Sequence, residues 1–168
     1  MEGEATVIES GRPIVSLGDA RLGCLCFACD GSIAGQVWGA GAALGRHLLQ
    51  AGLPSRPTVV EIGSGTGVAG LAAAVAGASA VTITDLASVV PRLEAAIAQN
   101  AESIAGAEVH AAPLEWGDLA AIERLAPSGA EVVLAADCLY SGEASVHAAL
   151  RATFIGLAKP CDGTILHA

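Results

Sequence analysis

Segments typical of strands alternate with segments typical of helices from Gly35 onward, and this alternation restricts the fold more than any other feature of the 168 residues. Apolar runs that predict strands occupy residues 58–62, 80–85, 107–113, 130–137 and 163–168. Apolar residues at helical spacing predict helices over residues 36–52, 67–77, 86–101, 118–126 and 142–159. Strands separated by helices pair in parallel, because each helix returns the chain to the same end of the sheet. The sequence therefore predicts an α/β fold, a doubly wound and mostly parallel sheet with helices on both faces.

The N-terminal part of the chain has a different pattern. Residues 5–9 and 13–17 flank the turn "SGR" and predict a β-hairpin, and residues 21–30 predict a third short extended segment. We expect one domain over residues 1–168, because a chain of this length forms a single core. Within it, a hairpin extension (1–34) precedes the core (35–168).

Composition limits the partners and the compartment. The net charge is −9 and the pI about 4.7, so no basic surface for nucleic acid is predicted. The acidic surface leaves two interpretations open, attraction of a basic protein partner and simple solubility. The N-terminus lacks the apolar run of a signal peptide, and no segment has the ~20 uninterrupted apolar residues of a membrane span. With an odd number of cysteines (5), we expect a cytoplasmic protein, and the nucleus is compatible too.

A glycine-rich turn, "VVEIGSGTGVAG" (residues 59–70), connects the first core strand to the next helix. Counting G-x-G-x-x-G from Gly63 places Val68 at the third glycine position, so the fingerprint for a nicotinamide dinucleotide is incomplete. The turn contains no lysine, which excludes a Walker-type phosphate loop. The carboxylate of Glu61 disfavours an anionic ligand and favours one with an ammonium group, such as a sulfonium amino acid that carries adenosine. A glycine-rich turn without a ligand is the alternative.

The second core strand ends at Asp85, which lies 22 positions after Gly63 (85 − 63). An acidic residue at about this distance accepts hydrogen bonds from ribose hydroxyls in dinucleotide-binding folds. The alternative is that Asp85 caps the next helix. Within that helix, Pro91 predicts either a kink or a late start.

Four motifs together resemble those of a known family: "GQVWGA" (35–40), the glycine turn, "LEWGD" (114–118) and "AADCLY" (135–140). In this order, and after an N-terminal hairpin, they resemble the seven-strand, Rossmann-like methyltransferases that use S-adenosylmethionine. The resemblance is to the group that methylates lysine side chains of other proteins. Asp137 and Tyr140 correspond to the D-x-x-Y motif of that group.

The resemblance implies a set of cofactor contacts: Trp38, Glu61, Gly63, Ser64, Gly65, Gly67, Asp85, Trp116 and Ala136. It places Trp38 against the methionine part, the glycine turn near the backbone of the ligand, Asp85 at the ribose and Trp116 beside the adenine. Ala136 lines the pocket next to Asp137. For each tryptophan, a purely structural position in the core is the alternative.

On the acceptor side, the resemblance implies that Asp137 holds the incoming amine and Tyr140 forms a wall of the methyl channel. Asp137 as a helix cap is the alternative. The implied cofactor is S-adenosyl-L-methionine and the implied partner is a protein substrate that carries the acceptor lysine, with no nucleic acid and no membrane involved. Two rival functions stay open: a methyltransferase for a small amine, and a non-catalytic remnant that binds cofactor or a partner.

The cysteines do not predict a metal site. Cys24, Cys26 and Cys29 lack a second C-x-x-C pair, and the four histidines are scattered, so free thiols are expected.

The chain departs from the family pattern at its C-terminus. The sheet of the family continues beyond the fifth strand, whereas this sequence stops at residues 163–168. We expect that the C-terminal strands are missing and that the fifth strand forms an exposed edge. The oligomeric state is left open.

Overall fold

The computed structural model describes residues 6–9, 12–19 and 23–168, with side chains from residue 25 onward. The strands are β1 (Thr6–Glu9), β2 (Arg12–Asp19), β3 (Gly23–Ala28), β4 (Thr58–Ile62), β5 (Ala80–Asp85), β6 (Glu108–Pro113), β7 (Val132–Ala135) and β8 (Thr164–His167). The helices are α1 (Gly39–Ala51), α2 (Val68–Val75), α3 (Val90–Gln99), α4 (Leu119–Leu125) and α5 (Ala144–Leu157), and a 3₁₀ turn covers Ile33–Gly35. Ala5, the first two residues of the "SGR" turn, residues 21–22 and the side chain of Cys24 lie outside the described residues.

The first three strands form an antiparallel sheet in the order β1–β2–β3. Glu9 of β1 pairs with Arg12 of β2, and Ile14 of β2 pairs with Ala28 of β3. The predicted hairpin and the third extended segment are thus confirmed.

The main sheet has five parallel strands in the order β6–β5–β4–β7–β8. From β4 the chain moves outward through β5 to β6, and it then crosses back to place β7 on the other side of β4. The strand order therefore reverses between β4 and β7. At such a point the chain segments that follow the two neighbouring strands lead away in opposite directions, and a crevice opens at the carboxyl ends of the strands. The predicted α/β fold is confirmed.

The apolar core has two parts, one on each face of the main sheet, because successive residues of a strand point to opposite faces. In β4, Val59 contributes to one part and Val60 to the other. The first part includes leucines of α1, α2 and α3 (Leu48, Leu71, Leu93), and the second includes apolar residues of α4 and α5 (Ile122, Leu150, Leu157). Helices thus cover both faces. Among the helices of the described residues, none is long and apolar enough to cross a membrane.

Two helices begin at least three residues later than predicted. Helix α1 begins at Gly39 and not at residue 36, because Trp38 has the extended backbone of an N-cap residue. Helix α3 begins at Val90 with Pro91 in its first turn. Proline is tolerated there because the missing N–H has no partner in a first turn. Of the two alternatives for Pro91, the structure therefore shows the late start.

Asn100, directly after α3, attaches the antiparallel sheet to the rest of the fold. Its side chain is 3% exposed. The Oδ1 atom accepts a hydrogen bond from the N–H of Cys26 (2.8 Å), and Nδ2 donates to the carbonyls of Cys26 (2.9 Å) and Ala96 (2.8 Å). The amide thus pairs with β3 as a residue of a neighbouring strand does. The side chains of Leu25 and Phe27, on either side of Cys26, are buried in the first part of the core.

Replacement of Asn100 tests this attachment. We expect Asn100→Ala to lower the free energy of unfolding by about 1–3 kcal/mol, because backbone groups of β3 lose their partner in a buried place. Urea unfolding measures the loss, and hydrogen exchange at the Cys26 amide should accelerate. Gln99→Ala is the control, since Gln99 is the exposed neighbour on the same helix. Equal stability of the two variants would contradict this role of Asn100.

Candidate functional site

The glycine turn lies between β4 and α2, at the carboxyl edge of the main sheet. Ser64 fixes it to β5, because its N–H donates to the Thr84 carbonyl (3.0 Å) and its Oγ accepts from the Thr84 N–H (3.1 Å). Gly63 has a φ of 59°, and a Cβ there would lie 3.1 Å from Cys138 Sγ and from Trp116 Cζ2. A larger residue there would have a strained backbone and would press on both side chains. The turn is thus packed against residues of the "DCLY" and "LEWGD" motifs.

Glu61 is the charged group most enclosed by this packing. It is 3% exposed, and its Oε2 accepts a hydrogen bond from the N–H of Gly70 in α2 (2.9 Å). Burial raises the pKa of the Glu61 carboxyl to about 7, the Gly70 hydrogen bond opposes this, and the charge of Asp85 adds to the rise. A Cβ on Gly70 would lie 2.7 Å from this carboxylate. The glycine therefore allows the carboxylate to reach the helix backbone.

Asp85, the last residue of β5, connects its own strand end to the glycine turn. Its Oδ2 accepts from the N–H of Gly65 (2.8 Å), and its Oδ1 accepts from the N–H of Leu86 (2.7 Å). The N-cap of α3 is Val89, and no side chain caps that helix. The capping alternative for Asp85 is therefore wrong. Each carboxylate oxygen retains a further acceptor position, which a hydroxyl group can use.

The two tryptophans lie on different walls of the crevice. Trp38 is 44% exposed, and its Nε1 donates to the carbonyl of Ile33 (2.8 Å). Trp116 follows β6 and is partly buried, and its ring centre lies 6.3 Å from that of Tyr140 at a tilt of 48°. Tyr140 itself is 76% exposed. Neither tryptophan is therefore an interior core residue.

Asp137 follows β7 and has a left-handed backbone, with a φ of 57°. Its N–H donates to the carbonyl of Ala168 (2.9 Å), and its carboxylate forms no hydrogen bond with any side chain or backbone group of the described residues. The N-cap of α5 is Glu143. The capping alternative for Asp137 is therefore wrong as well, and the carboxylate faces an open cavity.

One cavity of about 830 Å³ brings these groups together. Of the eleven residues that the sequence analysis named, ten line it: Trp38, Glu61, Gly63, Ser64, Gly65, Asp85, Trp116, Ala136, Asp137 and Tyr140. Gly67 does not line it, because it is the N-cap of α2 and faces the side chains of Ile83 and Leu93. The volume lies in the usual range for small-molecule sites.

Other lining residues were not identified from the sequence. They include Ile33, Ala34 and Gln36 before Trp38, Leu86 and Val89 after Asp85, and Ser145, Val146 and Ala149 on α5. The lining residues of α5 could have been identified from the sequence, because residues 145 and 149 are one helical turn apart and follow the "DCLY" motif. The lining residues before Trp38 could not have been identified in this way, because the composition of that loop does not indicate which side of the cavity it forms.

The cavity is acidic. Four carboxylates line it, those of Glu61, Asp85, Glu115 and Asp137, and no lysine or arginine does so among the residues that the structure describes. A positively charged ligand is therefore favoured and an anionic one is disfavoured. In the same part of the chain, no group of three or more His, Cys, Asp or Glu side chains is arranged to hold a metal ion.

The raised pKa of Glu61 predicts a pH dependence of stability. Its pKa in the fold is about 7, above the value of 4.5 in an unfolded chain. Glu61 thus favours folding below pH 4.5, and this contribution is lost as the pH rises through 7. Glu61→Gln cannot ionise, so the variant should gain about 2 kcal/mol relative to the parent between pH 5 and pH 8.

Urea unfolding of both proteins across that pH range measures the difference. Glu123→Gln provides the control, because Glu123 is an exposed residue of α4. A stability difference that stays constant with pH would show that Glu61 is ionised throughout.

Three solved structures with the same fold are methyltransferases by their descriptions. A protein assigned as a methyltransferase and complexed with SAH has a TM-score of 0.64 and 17% identity, over 99% of this chain and 42% of its own. An O-methyltransferase family protein from Burkholderia thailandensis has a TM-score of 0.58 and 21% identity, over 73% and 36% of the two chains. The ribosomal protein L11 methylase from Lactobacillus delbrueckii subsp. bulgaricus has a TM-score of 0.57 and 18% identity, over 79% and 61%.

At these identities the similarity shows the fold alone, and the chain spans only 36%, 42% and 61% of these three proteins. The family is shown by a different comparison. A model of the lysine methyltransferase family matches residues 28–166, which include all four motifs and every residue that lines the cavity. The chain therefore belongs to the lysine methyltransferase family, whose methyl donor is S-adenosyl-L-methionine.

Proposed function

We propose that this chain transfers a methyl group from S-adenosyl-L-methionine to the side-chain amine of a lysine in a protein substrate. The observation that carries the proposal is the single acidic cavity, in which the predicted cofactor residues and the free carboxylate of Asp137 lie together. The extension (1–34) and the core (35–168) act as one domain in this proposal, because Leu25 and Phe27 are buried in the same core as α1.

The cavity suits the cofactor in charge and in volume. The sulfonium and the ammonium group of S-adenosylmethionine are positive, and the carboxylates of Glu61 and Asp85 supply negative charge. In this proposal Asp85 accepts a hydrogen bond from a ribose hydroxyl, and the ring of Trp116 borders the adenine. The ring of Trp38 lies along the methionine part, where its face attracts a cation. Gly63 has no side chain, so Cys138 and Trp116 pack closely against the turn at the wall of the cavity.

The protein contributes mainly position and exclusion of water. S-adenosylmethionine, when bound, would supply a methyl group that a neutral amine attacks, with S-adenosylhomocysteine as the leaving group. Asp137 accepts a hydrogen bond from the lysine amine and directs its lone pair toward the cavity, and such positioning is a large part of the rate in displacement reactions. Burial of the amine beside the cationic cofactor lowers the pKa of the amine, whereas the carboxylate of Asp137 raises it, and the proton leaves to solvent before transfer. Tyr140 restricts the opening through which the side chain enters.

The mouth of the cavity favours a macromolecular substrate over a small amine. Ile33 is 80% exposed, Leu86 is 53% exposed and Tyr140 is 76% exposed, and all three line the cavity. Large exposed apolar side chains around a site are typical of surfaces that bind another protein. A small-amine enzyme would instead enclose its substrate and exclude water. Incubation with labelled cofactor and a cell extract, followed by mass spectrometry, identifies the acceptor.

The first prediction concerns cofactor selectivity. Calorimetry should show binding of S-adenosylmethionine and of its demethylated product, and no binding of NADH, since the acidic cavity disfavours a pyrophosphate. Asp85→Ala should weaken binding by about 1–3 kcal/mol through loss of the ribose hydrogen bond. Asp162→Ala, an exposed position outside the cavity, is the control. Tight binding of NADH would contradict the proposed cofactor.

The second prediction concerns Asp137. Asp137→Asn keeps the size of the side chain but removes its charge, so turnover should fall by about 10²-fold, the scale for loss of one positioned polar group. Cofactor affinity should change little, because no cofactor contact is assigned to Asp137. Glu143→Gln is the control, being an exposed carboxylate at the start of α5. An unchanged rate for Asp137→Asn would remove Asp137 from the mechanism, and absence of transfer by the parent protein would favour the non-catalytic alternative.

A further inference from the structure

The loop of residues 30–38 forms one wall of the cavity, between β3 and α1. Ile33, Ala34, Gln36 and Trp38 line the cavity from this loop. It also packs on the glycine turn, since a Cβ on Gly65 would lie 3.3 Å from the carbonyl oxygen of Ala34. The position of the loop therefore determines the width of the cofactor site.

Asp30 organises this loop from its first residue. Its Oδ1 accepts hydrogen bonds from the N–H (3.0 Å) and the Oγ–H (2.6 Å) of Ser32. Its N–H donates to the carbonyl of Gly35 (3.1 Å), and the Gly35 N–H donates to the Ser32 carbonyl (3.0 Å). A Cβ on Gly35 would collide with the Asp30 carboxylate. The 3₁₀ turn is therefore folded around this one carboxylate.

The second oxygen of Asp30 binds outside the loop. Its Oδ2 accepts a hydrogen bond from Nη2 of Arg92, in the first turn of α3. The Arg92 guanidinium, followed by the two Ser32 hydrogen bonds, holds the pKa of Asp30 well below its usual range. The carboxylate is thus ionised at neutral pH, and its ion pair with Arg92 persists there.

Arg92 and Asn100 hold the segment after β2 at two points. On α3 they are eight residues apart, a rise of about 12 Å. Their partners, Asp30 and Cys26, are four residues apart along an extended chain, a distance of about 13 Å. The two spacings match, so α3 lies antiparallel to this segment and fixes both of its ends.

The loop also determines the orientation of Trp38. The indole Nε1 of Trp38 donates to the carbonyl of Ile33 (2.8 Å), within the turn that Asp30 organises. A contact on the outer surface, at Arg92, is therefore connected to an aromatic side chain inside the cavity through Asp30 and the turn.

We propose that Arg92 is a positioning residue for cofactor binding: through Asp30 it holds the loop of residues 30–38 against the glycine turn, where the loop completes the cavity. This inference rests on the proposed function only in taking S-adenosylmethionine as the ligand. Arg92 itself does not line the cavity. It keeps the loop in the conformation that binds the cofactor. When a smaller fraction of molecules has this conformation, the apparent affinity for the cofactor falls in proportion.

The effect of losing Arg92 on global stability distinguishes this role from a general structural role. The Arg92 and Asp30 side chains are 28% and 37% exposed. Ion pairs with this exposure contribute little to global stability, because water screens them. Loss of Arg92 should therefore leave the melting temperature almost unchanged and act mainly on ligand affinity.

The experiment measures S-adenosylhomocysteine binding by calorimetry with the whole chain. Arg92→Ala should weaken binding about threefold to fivefold, and Arg92→Lys should restore part of the affinity. Asp30→Asn should weaken binding similarly, and the double variant should be no worse than either single one, because both remove the same contact. Arg56→Ala is the control, since Arg56 is an exposed arginine that bonds a backbone carbonyl (Gly106) and lies outside the cavity.

A second readout keeps the inference separate from the proposed function. Hydrogen exchange in residues 30–38 should accelerate in Arg92→Ala, while exchange in the glycine turn stays protected. If the parent protein binds no S-adenosylhomocysteine, the proposed cofactor site fails and the inference fails with it. If the parent binds and Arg92→Ala binds as tightly as Arg56→Ala, only the inference is overturned. A uniform rise in exchange with a lower melting temperature also overturns it, because Arg92 would then stabilise the whole fold.

Discussion

The reversal of strand order between β4 and β7 is the constraint on which the site depends. In a parallel sheet the carboxyl ends of all strands lie at one edge, and the reversal of strand order opens a crevice at that edge. The glycine turn follows β4, Asp85 ends β5, Trp116 follows β6 and Asp137 follows β7. Residues far apart in the chain therefore meet because of topology, and each lies at or shortly after the carboxyl end of its strand.

A buried carboxylate connects this edge to the helix that follows. Glu61 loses solvation at the centre of the sheet, and hydrogen bonds, that from Gly70 first among them, compensate only in part, so its pKa rises. The requirement for that bond accounts for a glycine at position 70, where a Cβ would meet both Glu61 and Ile83. The same carboxylate faces the cavity. A structural restraint and a charge available to a ligand are thus combined in one side chain.

The sequence predicted every core strand and helix, because periodicity and glycine punctuation are local signals. It misplaced the start of α1, because Trp38 has helical spacing but an extended backbone. It could not exclude the caps at Asp85 and Asp137, since a short carboxylate after a strand fits either role until the next helix begins. It identified Trp38 and the "GQVWGA" motif but missed the rest of the loop of residues 30–38. That loop depends on a contact between residues 62 positions apart, and Asn100 reaches Cys26 over 74 positions, separations at which no local pattern exists.

The distribution of charge explains why such a site is selective for cations. The chain carries 17 acidic and 8 basic side chains. Several basic groups are used outside the cavity: Arg92 binds Asp30, Lys159 lies 3.9 Å from Glu131, and Arg56 binds a backbone carbonyl. The carboxylates of the cavity are left without a described basic neighbour, and Asp85 raises the pKa of Glu61. A cation that enters the cavity relieves this repulsion, whereas an anion increases it. The arrangement therefore discriminates between ligands by their charge, independently of their shape.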